Sequence, residues 1–309
     1  MERYAGGLWG LLVGDALGVP YEFSFADGLP PMEQIEMVPP EGYRKTYPGV
    51  PEGTWSDDGA QALCLLDSLL ECDRLDLDDF AGRMLQWLEQ GVWTPDGYVF
   101  DVGIQTEVSL EALKQGVPPT KSGMTRREGK GNGALMRTLP LALWHPGSDR
   151  ELVLDAHRQA LPTHGHACNQ VCCAWYCLTA RRLLEGCGFA EALNRSVAGM
   201  REIYRDMPEY AAEFELLEPD KPMRGTGTGL VTDCLKSAFM ILLCAGSYED
   251  AVRQAVALGN DTDTTASVTG GLAGILFKDI PARWMETMRG REAVDGLLKQ
   301  LARWRSAKL

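Results

Sequence analysis

The sequence predicts an all-α protein, and three observations carry that prediction. Apolar residues recur at three- and four-residue intervals along most of the 309 residues. Alternating, strand-like runs are scarce, and no turn dipeptide of the Asn-Gly type separates two β-branched stretches. In chain order the periodicity predicts helices over 59–70, 80–88, 108–113, 168–184, 233–243, 251–258 and 292–304. The segment 168–184 is apolar nearly all round, with Val171, Ala174, Trp175 and Leu178 beside Cys168, Cys172, Cys173 and Cys177, which reads as a helix inside the core. Gly and Pro punctuate the chain at Gly28-Leu29-Pro30-Pro31, Pro39-Pro40-Glu41-Gly42 and Gly116-Val117-Pro118-Pro119. None of these is long or polar enough for an interdomain linker, so one domain over 1–309 is expected, with 204–227 as an excursion rich in acids, Pro and Gly.

Composition narrows the function classes. Hydrophobic residues make up 45% and charged residues 24% of the chain, which excludes disorder and fibrous repeats. Forty-three acids against 30 Lys and Arg leave a net charge of -13, a surface that repels phosphate backbones. Nucleic acid is therefore not an expected partner, although a modified nucleic-acid end stays open. The most apolar run, 238–243, is far shorter than the ~20 residues a bilayer requires. The first residues lack a cationic start followed by an apolar stretch, and the nine cysteines are odd in number and lie in helix-like runs. Reduced thiols and a cytoplasmic location are the expectation.

Carboxylates concentrate with hydroxyls at Gly53-Thr54-Trp55-Ser56-Asp57-Asp58-Gly59 and Gly259-Asn260-Asp261-Thr262-Asp263-Thr264-Thr265, each directly before an apolar helix. Capping explains one or two of these residues: Ser56 at one helix, Asp261 or Thr262 at the other. Several acids in one short loop repel each other unless a cation neutralises them, and a hard divalent ion with oxygen ligands does that. Capping and metal binding are both open, and they are compatible. Gly129-Lys130-Gly131-Asn132-Gly133 leads toward an apolar, helix-like segment and reads as an anion-cradling loop or as a tight turn; it fits neither a Walker loop nor a dinucleotide fingerprint. His164 and His166 beside the cysteines of 168–177 invite a zinc reading, but core packing of the thiols is preferred.

Taken in order, Gly10-Leu11-Leu12-Val13-Gly14-Asp15-Ala16-Leu17-Gly18, Ser56-Asp57-Asp58, Asp101-Val102-Gly103, Gly131-Asn132-Gly133-Ala134-Leu135-Met136-Arg137, Thr163-His164, Asp261-Thr262-Asp263-Thr264 and Gly270-Gly271-Leu272-Ala273-Gly274 resemble the ADP-ribosylglycohydrolase family, which includes the dinitrogenase reductase-activating glycohydrolases and ADP-ribosylarginine hydrolases. The resemblance implies a compact orthogonal helical bundle with a central di-metal cleft. It implies metal ligation by Ser56, Asp57, Asp58, Asp261, Asp263 and Thr264 to two Mg²⁺, with Mn²⁺ as the alternative. Ser56 stands where relatives usually carry Thr, which keeps the hydroxyl. The resemblance further implies substrate binding by Gly131, Asn132, Gly133, Met136 and His164, and an acid–base role for Asp101 or Glu22.

The implied activity is hydrolytic removal of ADP-ribose from a modified protein or small molecule, foremost the N-glycosidic bond to protein arginine. Another ADP-ribosyl linkage or a non-catalytic ADP-ribose-binding relative is the alternative, and a phosphohydrolase cutting the pyrophosphate is a third class. Two departures stand out. Ile104 and Gln105 follow Asp101-Val102-Gly103 where the family has a different polar run, and Leu230 replaces the usual Tyr. Tyr210 or Phe214 is the available substitute for that aromatic.

Overall fold

The computed structural model describes residues 2–308. Fifteen α-helices account for the architecture, and no strand occurs among the described residues. They are α1 (Arg3–Gly18), α2 (Asp57–Cys72), α3 (Leu77–Gln90), α4 (Ile104–Lys114), α5 (Pro119–Ser122), α6 (Leu139–Trp144), α7 (Asp149–Ala160), α8 (Ala167–Leu184), α9 (Phe189–Ile203), α10 (Pro208–Leu216), α11 (Val231–Leu242), α12 (Tyr248–Ala257), α13 (Thr262–Phe277), α14 (Ala282–Thr287) and α15 (Arg291–Lys308). None is long and apolar enough to cross a membrane, among the described residues.

The centre is built from three helices that bury nearly their whole surface: α1, α8 and α13. Their all-round apolar and small-residue character is what a helix enclosed by others requires. The four cysteines of α8 are buried free thiols packed among Val171, Trp175 and Leu178, as core residues rather than ligands.

The closest packing in the molecule joins α1 to α13. Glycine recurs every four residues along one face of α1, at positions 6, 10, 14 and 18. A Cβ on Gly6 would lie 2.3 Å from the Gly274 carbonyl oxygen, one on Gly10 2.2 Å from that of Gly270, and one on Gly14 2.1 Å from that of Ala266. At the end of the seam a Cβ on Gly18 would lie 2.4 Å from the Asp263 Cα. The two helices therefore run antiparallel with backbone against backbone, and real Cβ atoms cannot enter. Thr262 ties the seam off, its hydroxyl donating to the Gly18 carbonyl at 2.8 Å. This contact places the start of α13, with its acids, against the end of α1.

The stretch 204–227 holds a 3₁₀ turn and α10, which lies on α8. Phe214 is buried edge-on against Trp175 with centroids 5.2 Å apart, so this part is anchored to the core. The glycine loop differs from the expectation in one respect. Residues 133–137 wind as turns, and the helix that follows starts only at Leu139. Pro140 in its first turn fits that start. The loop is therefore not at a helix N-terminus, and any anion it holds is met by loop backbone rather than by a helix dipole.

Candidate active site

Both acid loops and the glycine loop open onto one cavity of about 270 Å³. Its walls include Glu22, Asp57, Asp101, Gly131, Asn132, Gly133, Met136, His164, Asp261 and Thr264, residues drawn from the whole length of the chain. Ser56, Asp58 and Asp263 lie behind this wall, linked to it by short bonds. The Ser56 hydroxyl accepts from the Asp58 N–H at 3.3 Å, capping α2. Asp58 Oδ2 accepts from the Thr264 hydroxyl at 3.2 Å, and Asp263 Oδ1 from the Thr264 N–H at 2.8 Å. A larger cleft of about 830 Å³, between the α2–α3 connection and the start of α7, holds none of these residues.

The two acid loops use their residues differently. At α2 capping and the acid cluster coexist, because Ser56 performs the capping. At α13 the N-cap is Asp261, yet its side chain makes no capping bond. It turns to the cavity instead, where Oδ2 accepts from the Asn132 amide at 2.8 Å. Glu22, Asp261 and Asp263 each offer a carboxylate oxygen within 4.8 Å of the other two.

Burial and mutual repulsion dominate the electrostatics. Asp57, Asp58 and Asp263 are pushed well above the usual carboxylate range, by burial first and then by neighbouring acids. Glu22 is pushed up to about 10 by burial and by the charges of Asp101 and Asp261. Asp261 is raised by burial, with its bond from Asn132 working in the opposite direction. Three buried carboxylate oxygens, Glu22 Oε2, Asp58 Oδ1 and Asp263 Oδ2, have no hydrogen-bond partner among the described residues. An unpaired buried carboxylate oxygen is costly. An oxygen-only donor set with orphaned carboxylate oxygens and hydroxyls alongside is what a hard divalent cation satisfies, so these residues fit such an ion.

On the opposite wall, the N–H groups of Gly131, Gly133 and Ala134 have no acceptor among the described residues. Gly133 is required by close approach, since a Cβ there would lie 2.8 Å from His164 Cε1. Gln105 fills the place of the family's polar run by bridging to the carbonyls of Gly129 and Thr163, both at 3.2 Å. Neither aromatic substitute reaches the cavity. Phe214 is in the core, and Tyr210 stacks on His157 at 4.3 Å with its hydroxyl on Gln170. Leu230 is 56% exposed, beside the glycine loop to which its backbone bridges.

Several residues of the site carry no assignment from sequence. Asp15 is fully buried, and its carboxylate accepts from the N–H groups of Ser56 and Gly59. A signal existed: it is the one charged residue in the apolar, glycine-rich run from Ala5 to Val19, and such an acid must find donors. Tyr47 donates to Asp101 Oδ1 at 2.7 Å, with no local pattern to announce it. Phe23 lines the cavity mouth, 67% exposed. Phe23, Asp101 and Asn260 hold left-handed φ values of 58°, 56° and 62°, conformations that cost energy in non-glycine residues and collect at functional sites. Arg137, fully buried, donates to Gln61, which in turn donates to Asp57.

The profile of a family described as ADP-ribosylglycohydrolase matches residues 1–308. The ADP-ribosylarginine hydrolase Tri1 of Serratia proteamaculans is 29% identical over 97% of this chain and 79% of its own length. The ADP-ribosyl-[dinitrogen reductase] glycohydrolase of Rhodospirillum rubrum is 27% identical over 96% of each chain. ADP-ribosylhydrolase ARH3 of Bos taurus is 25% identical over 98% of this chain and 93% of its own. A solved structure described as an ADP-ribosylglycohydrolase-related protein complex matches with a TM-score of 0.74 and 30% identity over 98% of both chains.

Proposed function

Since the chain belongs to the ADP-ribosylglycohydrolase family, we propose that it is a Mg²⁺-dependent hydrolase that removes ADP-ribose from a modified protein, at the N-glycosidic bond to arginine. The observation that carries this reading is the convergence of buried acids with orphaned oxygens and a glycine loop with unpaired N–H groups on one cavity. One wall suits a hard cation and ribose hydroxyls, and the other suits a diphosphate. The ADP-ribosylarginine hydrolase among the relatives supports the arginine linkage.

Ser56, Asp57, Asp58, Asp261, Asp263 and Thr264 would hold two Mg²⁺, which supply Lewis acidity and an activated water. The remaining chemistry belongs to the chain's own residues. The N–H groups of Gly131 and Gly133, with Asn132, Met136 and His164 around them, hold the diphosphate, so binding energy remote from the reacting carbon positions it. Asp101 stands at the cavity with one oxygen taken by Tyr47, leaving the other to stabilise developing positive charge at the sugar carbon and to accept a proton from water. Glu22, its carboxyl pushed up to about 10 by burial and then by the neighbouring acids, is the second acid–base candidate and offers an oxygen beside Asp261 and Asp263.

The exposed Leu230 favours a second reading, hydrolysis of a different ADP-ribosyl linkage, because the leaving-group side lacks its aromatic wall. The test is release of ADP-ribose from ADP-ribosylated arginine with and without Mg²⁺, beside Asp263→Asn. Release that needs the metal and is lost in the variant is expected. ADP-ribose binding without release from arginine moves the reading to another linkage, and neither binding nor release ends it.

A further inference from the structure

We propose that Arg137 and Thr163 are positioning residues that fix His164 as its Nε2–H tautomer, so that the ring's one donor points at the Gly131–Gly133 loop and at the diphosphate held there. The identity of that ligand rests on the function proposed above; the tautomer does not.

The donors and acceptors around the Thr163 hydroxyl decide the tautomer. Arg137 is fully buried, and a guanidinium only donates. It gives one N–H to the Thr163 hydroxyl oxygen at 2.8 Å, one to the Gln159 carbonyl at 3.2 Å and one to Gln61 Oε1 at 2.9 Å. Among the described residues the Thr163 hydroxyl has one further hydrogen-bond partner, His164 Nδ1, also at 2.8 Å. Thr163 is wholly buried, so its own O–H must find an acceptor inside the protein. If His164 carried its proton on Nδ1, the hydroxyl would receive two donors and its O–H would have no acceptor. With Nδ1 bare, the hydroxyl accepts from Arg137 and donates to the imidazole, and every group is satisfied.

The remaining proton is then on Nε2. That nitrogen has no partner among the described residues and lies on the loop side, 3.2 Å from where a Cβ of Gly133 would stand and 3.5 Å from that of Gly131. Burial, reinforced by the nearby Arg137 charge, holds the His164 pKa well below its ordinary value, in keeping with a neutral ring. The same guanidinium orients the opposite wall. Because it must meet the oxygen of Gln61, that amide turns its NH₂ to Asp57 Oδ2 at 3.0 Å. One buried cation thus sets the direction of hydrogen bonds on the metal side and on the phosphate side of the cavity.

The test uses the full chain labelled with ¹⁵N-histidine, with His164 assigned among the four histidines by His164→Gln. Long-range ¹H–¹⁵N correlation is expected to show the proton on Nε2. In Thr163→Val the tautomers mix, ADP-ribose binds about 5–10-fold more weakly, and KM rises more than kcat falls. Thr163→Ser restores all three. A proton on Nδ1 in the wild type overturns the proposal. So does Thr163→Val with unchanged tautomer and affinity, or Thr163→Ser that melts like the wild type yet restores neither. A wild type that shows Nε2–H but binds neither ADP-ribose nor ADP overturns the diphosphate assignment together with the proposed function, while bearing out the tautomer.

Discussion

Asp15 and Ser56 are 41 residues apart in sequence, yet both carboxylate oxygens of Asp15 accept from the Ser56 N–H, at 2.9 and 3.1 Å. Oδ2 also accepts from the Gly59 N–H at 2.8 Å. Asp15 sits in the last turn of α1, between Gly14 and Gly18, and so carries the position of that helix into the first acid loop. Asp15→Ala is expected to cost about 1–3 kcal/mol, because buried N–H groups lose their acceptor. It should also weaken Mg²⁺ binding about 10–100-fold, as loss of an outer partner of a metal site does. Thermal unfolding and calorimetric titration with Mg²⁺ read both effects, and unchanged affinity would refute the supporting role.

The buried acids make stability depend on pH in a direction opposite to that of a salt-bridged carboxylate. Asp15 is raised to about 7 and Glu22 to about 10, both mainly by burial. The unfolded chain releases these protons near pH 4, so between pH 4 and those folded-state values it binds fewer protons than the native state, and stability falls as pH rises. The metal-free protein is expected to melt lower at pH 8 than at pH 5. Asp57, Asp58, Asp261 and Asp263 are raised as well, and Mg²⁺ competes with protons for their oxygens, so its stabilisation grows with pH. At a hundredfold excess over Kd it contributes about 2.7 kcal/mol, roughly 5 °C in Tm. Melting curves in EDTA and in Mg²⁺ at pH 5, 6.5 and 8 check the sign, and an equal Mg²⁺ effect at all three would contradict it.

Tyr47 donates a hydrogen bond to Asp101 Oδ1 at 2.7 Å, and Asp101 is held at a positive φ. Tyr47→Phe is expected to lower kcat about 10-fold or more, the effect of removing a bond to a charged group, while KM and Tm move little. Steady-state kinetics on an ADP-ribosylated substrate separates the two parameters. A change confined to KM would place Tyr47 in binding rather than in orienting Asp101.

Glycine substitutions discriminate the seam from ordinary helix positions. Gly18→Ala drives a Cβ to within 2.4 Å of the Asp263 Cα, which only backbone movement can relieve. It is expected to destabilise by about 1–3 kcal/mol and to weaken Mg²⁺ binding as Asp263 shifts. Gly82, within α3, has nothing within 4 Å of its Cβ position, so Gly82→Ala should stabilise by about 1 kcal/mol and leave metal affinity unchanged. Denaturant unfolding with a parallel Mg²⁺ titration distinguishes the two.

Helices were legible where the pattern is local. The periodicity over 59–70 and 168–184 reflects burial that each segment shows by itself. The acid loops were legible because clustered carboxylates without cations announce a missing charge. Arg137 was not, since nothing local tells a core arginine from a surface one, and its partners Gln61, Gln159 and Thr163 lie on three other segments. The four-residue glycine spacing of α1 is plain in the sequence, but its partner begins more than 240 residues later. The aromatic expected from Tyr210 or Phe214 failed for a related reason: nearness in sequence to Leu230 says little about which face of a buried helix those rings will meet.

The seam has a consequence for how the protein tolerates change. Most cores absorb a substitution by altering rotamers, and the helices they separate drift a few tenths of an ångström. At Gly6, Gly10, Gly14 and Gly18 the backbone of α1 meets the backbone of α13 with no side chain between them to adjust, so at those points the spacing of the two helices is set by peptide groups. Random variation among Leu, Val and Ile elsewhere in the core should therefore scatter the melting temperature while metal affinity stays nearly constant. Function and robustness draw on different parts of the sequence, and the part that protects function is the one with the fewest atoms.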